Sequence, residues 1–216
     1  MEPGIIIAIS FLVVIVLALG GLIGWLIASQ KGNLKNGQAK ISDRDLLLLF
    51  DEQPDGLLSK QQIKLQTGLT SSEVRSRLQF FVLNKVLRTS YTNKLKYYYS
   101  LSNPLDKREG PALSDKPFLT VADILTLFKH FDYRMSLQDI CMATRLPMQV
   151  ILREMKYFEK EKVVVLLHTT TNVHTGETIK DYILQEPYRS NPEKFMDLEL
   201  HADPLLEKIY DELYVD

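Results

Sequence analysis

The chain has 216 residues, near-balanced charge (26 Lys and Arg against 27 Asp and Glu) and an ordinary globular share of hydrophobic residues. That excludes a low-complexity or highly charged disordered chain, and it fits one or two small domains. The single cysteine, Cys141, excludes a disulfide scaffold and suits a reducing compartment.

Ile5 to Ala28 carries no charge. As a helix rising about 1.5 Å per residue it would span roughly 36 Å, more than a hydrocarbon core of about 30 Å. The leader, Met1 to Gly4, lacks the basic residues of a cleaved signal peptide. Lys31, Lys35, Lys40 and Arg44 follow the run, whereas only Glu2 precedes it. The positive-inside rule then puts the N-terminus outside and the remainder in the cytoplasm. This reading makes residues 1–30 a single-pass anchor in the lipid bilayer, with Gly20 and Gly24 spaced as a GxxxG face for a homodimer. Residues 31–41, with Gly32, Asn33, Asn36 and Gly37, read as a flexible polar linker.

Beyond the linker the chain matches itself at an offset of 77, expected to run ungapped from the first helix to the start of the hairpin. Ser59 pairs with Ser136, Ile63 with Ile140, Thr67 with Thr144, Val74 with Ile151, Phe81 with Phe158 and Val86 with Val163. Such a run fixes the architecture as two copies of one unit. In the first copy, residues 42–104, helices are expected over Ser42 to Glu52, from Ser59 to Gly68, and from Ser71 or Ser72 to Asn84. The caps and the terminal glycine set these limits. Strands Val86 to Tyr91 and Lys94 to Leu101 flank a Thr92-Asn93 turn. After a linker at 105–117, the second copy, residues 118–190, repeats the order. Its helices are Thr120 to Phe131, Ser136 to Thr144 and Pro147 to Glu161, and its strands Val163 to Thr171 and Glu177 to Leu184. Residues 191–216 form an acidic tail, two lysines against eight acids, with a short helix striped by Leu206, Ile209, Tyr210 and Leu213. That tail is expected to dock on one of the two copies or on a partner subunit, either restraining access to a basic surface near Arg75, Arg88, Lys94 and Lys96 or only covering a hydrophobic patch.

The stretches LSKQQIKLQTGLTSSEVRSRLQFFVLNKVLRTS and MSLQDICMATRLPMQVILREMKYFEKEKVVVLLH resemble the MarR/ArsR-like branch of the winged helix-turn-helix superfamily. The fold class expected is therefore mainly α with small β-hairpins (α+β), a single transmembrane helix followed by two tandem winged-helix domains. The resemblance implies that the third helix of each copy could enter a DNA major groove while the hairpin touches the backbone. A 100° step per residue places Ser72, Arg75, Ser76 and Gln79 on the outer face of the first such helix. It places Gln149, Arg153, Lys156 and Lys160 on the second. Arg88, Lys94 and Lys96 sit on the first hairpin among tyrosines. These are the candidate DNA-binding residues: Arg and Gln read bases, Lys neutralises phosphate. Only the first copy is net basic, nine Lys and Arg against six acids from residue 42 to 104.

No nucleotide-binding or hydrolase motif occurs, so the chain reads as a non-enzyme without cofactor. His168 and His174 share a hairpin but have no cysteine beside them, so no metal site is expected. The leading function is a membrane-tethered, cytoplasmic DNA-binding regulator of transcription. The alternative is a membrane-anchored adaptor that binds a protein partner through winged-helix faces without DNA.

Overall fold

The computed structural model describes residues 20, 28–30, 32–114, 116, 118–172 and 177–198. Within them the chain is α+β, with helices surrounding two small antiparallel sheets. The first copy contains α1 (Asp43–Asp51), α2 (Lys60–Thr67), α3 (Ser71–Leu83), β1 (Leu87–Tyr91) and β2 (Tyr97–Leu101). The second contains α4 (Val121–His130), β3 (Arg134–Ser136), α5 (Leu137–Thr144), α6 (Met148–Lys160), β4 (Val164–Asn172) and β5 (Glu177–Leu184), followed by a 3₁₀ turn, Pro192–Phe195.

Several local hydrogen bonds repeat between the copies. Ser59 and Ser136 both cap their helices in reciprocal boxes, with Gln62 and Asp139. Thr67 and Thr144 both donate to the carbonyl four residues back. The Val86 N–H reaches Phe81 O and the Val163 N–H reaches Phe158 O, each at 2.9 Å. In the first copy Leu58 bridges Tyr99, and in the second the equivalent Met135 pairs with Tyr182 in the strand order β3-β5-β4. Two expectations need correction. Leu46, Leu47 and Phe50 of α1 correspond to Ile124, Leu125 and Phe128 of α4, all fully buried. That offset is 78, so one residue of slip lies between the first and second helices. The first hairpin also turns later than a two-residue turn allows: Tyr91 faces Tyr97 and the Thr92 N–H bonds Lys96 O. Lys94 and Lys96 therefore lie in a five-residue loop, with Leu95 in the left-handed region (φ 55°).

The single-pass membrane reading is withdrawn, and with it the membrane localisation, its orientation and the bilayer as a partner. Among the described residues no helix is long and apolar enough to cross a membrane. The segment on which it rested, residues 5–28, lies outside the described residues apart from Gly20 and Ala28. Of the proposed dimer face, Gly20 has open space around it and Gly24 is outside. The striped helix expected in the tail, residues 203–216, is outside as well.

The linker expected to be flexible is instead structured, with helical backbone over residues 32–40. Its glycine serves close approach. A Cβ on Gly37 would lie 3.1 Å from Arg77 Cδ and 3.5 Å from Glu73 Cβ, so the backbone rests directly on α3. Lys40 Nζ bonds both Glu73 oxygens at 2.9 Å. The second linker is a joint tied to both copies. Lys107 pairs with Asp51 at 2.8 Å, and Gln138 Nε2 donates to Asn103 O and Pro104 O. Ser114 donates to Asp123 through both its N–H and its hydroxyl. One contiguous buried cluster runs from Leu46 to Leu184, through both copies.

Candidate functional site

Asp43 sits where the two copies meet. It occupies the first turn of α1, behind the Ser42 cap, and is almost fully buried. Arg77, buried in the middle of α3, donates from Nη2 to Asp43 Oδ1 at 2.5 Å and from Nη1 to the carbonyls of Gly37 (3.1 Å) and Ile41 (2.7 Å). The other Asp43 oxygen accepts from Gln38 Nε2 (3.2 Å) and from the backbone N–H of Met148 (2.7 Å). Met148 opens α6, so a carboxylate of the first copy caps the third helix of the second. The repeat shows why this is needed. Thr70 caps α3 with its own side chain and a Glu73 box, whereas the matching residue before α6, Pro147, makes no side-chain cap. A carboxylate at a helix N-terminus meets both the orphan N–H and the positive end of the dipole.

Residues 32–40 thus form a wedge between the two third helices. Gly37 and Lys40 press on α3, while Lys35, Gln38 and Ala39 face Gln149, Val150 and Arg153 of α6 across a cleft. Two of the expected outer-face residues are not exposed. Ser76 is buried, and Arg153, at the equivalent position one repeat later, is half-buried with a 3.9 Å contact to Glu154. Arg153 lines the cleft beside the wedge. Ser72, Arg75, Gln79, Gln149, Lys156 and Lys160 are exposed as expected. Arg88, Lys94 and Lys96 are exposed as well, but Arg88 spends its guanidinium on Ser102 O.

Among the described residues the exposed large hydrophobics fall mostly on the first copy. Leu65 on α2, Leu83 at the end of α3, and Tyr91, Leu95 and Tyr97 at the hairpin tip are each more than half exposed. Tyr91 and Tyr97 meet in a tilted ring contact with centroids 6.3 Å apart. Sequence reasoning placed candidate DNA-binding residues on α3 and the hairpin. Cys141 is buried, its thiol pushed well up by burial and next by the Asp43 charge, and its Sγ lies 3.7 Å from Leu146 O. Among the described residues no cluster of His, Cys, Asp and Glu could hold a metal ion.

The hold of Glu73 on the wedge is expected to weaken in acid. The Thr70 N–H and then the Lys40 ammonium hold the Glu73 carboxyl below the ordinary glutamate value of 4.5, against the opposing effect of burial. A depressed folded value contributes stability that is complete above the ordinary value and is lost as pH falls through the depressed one. Acidification should therefore loosen residues 32–40 from α3. The Gly37 amide resonance is expected to move with this titration and to stay still over it in Glu73→Gln; a parent protein whose Gly37 signal does not move would refute the clamp.

No family model matches the chain, and no curated protein matches it.

Proposed function

We propose that the chain is a tandem winged-helix interaction module that binds a protein partner through its first copy, and that it does not read duplex DNA. The observation that carries this reading is the concentration of exposed leucines and tyrosines on the second helix, the third-helix end and the hairpin of that copy. In the winged-helix resemblance the third helix and the hairpin are the surfaces that would meet nucleic acid. Leu65, Leu83 and Leu95 offer nothing to phosphate, whereas exposed apolar groups that adjoin one another, as Tyr91 and Tyr97 do, mark protein contacts. In the first turns of the third helices Glu73 is held by Lys40 and the Met148 N–H by Asp43, which leaves Ser72, Arg75 and Gln149 as the exposed residues near the helix starts.

Duplex DNA remains the second reading, favoured by the exposure of Arg75, Gln79, Lys94 and Lys96. A salt titration of the full chain with labelled duplex separates the two. The interaction reading expects no saturable binding near physiological salt. Binding there with a steep log–log slope, lowered by about one unit for each of Arg75→Ala, Lys94→Ala and Lys96→Ala, would overturn it. A photo-crosslinking residue at Leu83 or Leu95 is expected to give a discrete protein adduct in cells, and one at Lys156 none.

A further inference from the structure

The cleft beside the wedge has a volume of about 670 Å³, within the range of sites that hold small organic molecules. It lies at the seam between the copies, where such sites concentrate. Its walls are apolar, from Ala39, Leu146, Pro147 and Val150, and its charged groups are unbalanced. Lys35, Arg145 and Arg153 line it against one carboxylate, Asp43. Asp43 offers a ligand little negative charge, because Arg77 holds one oxygen and the Met148 N–H and Gln38 hold the other. Lys35 and Arg145 are exposed and enter no ion pair among the described residues. The cleft therefore presents a positive field over an apolar floor.

Comparison between the copies points the same way. α2 ends at Gly68 in the left-handed conformation (φ 69°), the residue that adopts it without penalty. At the matching position α5 ends on Arg145 at φ 60°, a conformation that L side chains disfavour. The second copy thus holds a cation at the lip of the cleft in a conformation that glycine satisfies more cheaply.

We infer that this cleft binds a small organic carboxylate with an apolar body, its headgroup between Lys35 and Arg145 and its body along Leu146, Pro147 and Val150. Such a ligand bridges the wedge to the second copy and favours the closed seam, since whatever binds only the folded junction stabilises it.

Calorimetric titration of the full chain with octanoate, phenylacetate and naphthoate tests this, with octylammonium as the cationic control. At least one carboxylate is expected to saturate a single site per chain, and octylammonium to give no saturable binding. Lys35→Glu and Arg145→Glu, both at exposed positions, are each expected to weaken that carboxylate by about tenfold or more, the size of a lost charge-assisted contact. Arg145→Gly, which relieves the backbone while removing the charge, should weaken binding while raising the melting temperature, so loss of affinity is not loss of fold. No saturable carboxylate binding, equal binding of octylammonium, or unchanged affinity in the Lys35→Glu/Arg145→Glu double variant would each sink the proposal.

Discussion

Asp43→Ala is expected to cost about 3–5 kcal/mol of folding stability, because removing one partner of a buried ion pair leaves the other charge uncompensated. Arg77 is fully buried, and its Nη2 has Asp43 as acceptor. The same substitution strips the acceptor from the Met148 N–H, so the damage falls on both copies. Asp43→Asn keeps an oxygen for that N–H and loses the charge, and should fall between the parent and the alanine variant. Pairing Asp43→Ala with Arg77→Met should recover part of the loss, since it is the stranded guanidinium that dominates the penalty. Urea unfolding of the four proteins measures this. A double variant as unstable as the sum of its singles would mean that the pair contributes nothing as a pair.

Phe81→Ala tests whether the copies share a core in energy as well as in space. Phe81 is fully buried at the end of α3 in the first copy, and truncating such a phenylalanine costs about 3–5 kcal/mol. If the contiguous cluster unfolds as one body, amide exchange at Met155 and Phe158, on α6 in the second copy, should quicken by roughly two to three and a half orders of magnitude, the full factor implied by that loss. Two separately stable units would leave those amides at their parent rates. Phe158→Ala serves as the control that accelerates them in either case.

Much of the local structure was legible in the sequence because it is set by neighbours. Ser59 and Ser136 announce their helices through residues three positions on, and Gly68 ends one where a left-handed turn is required. The repeat exposed the order of elements because apolar positions recur with the helical and strand periods. What stayed hidden is non-local. Gly37 reads as a linker residue until α3 is found beneath it, and only then does its missing side chain become a reason for contact. Asp43 and Arg77 lie 34 positions apart, and Asp43 and Met148 lie 105 apart. No periodicity links them. Ser76 and Arg153 were placed outward by a helical argument that sees only one helix and not what packs against it. Of the cleft, the one detectable signal was Arg145 standing where the other copy has Gly68.

The cap that α6 takes from Asp43 has an implication for descent. A duplicated unit begins self-sufficient, able to be excised, reordered or shed. Here the unit whose third helix begins after Pro147 draws that hydrogen bond from Asp43 of the other, so the two are coupled at this point. A fragment that begins at Val121 carries a helix start with no acceptor, and one that ends at Pro104 carries an aspartate with nothing to cap. Separating the halves therefore leaves the start of α6 short of one hydrogen bond, a cost of about 0.5–2 kcal/mol that the second half would have to absorb alone.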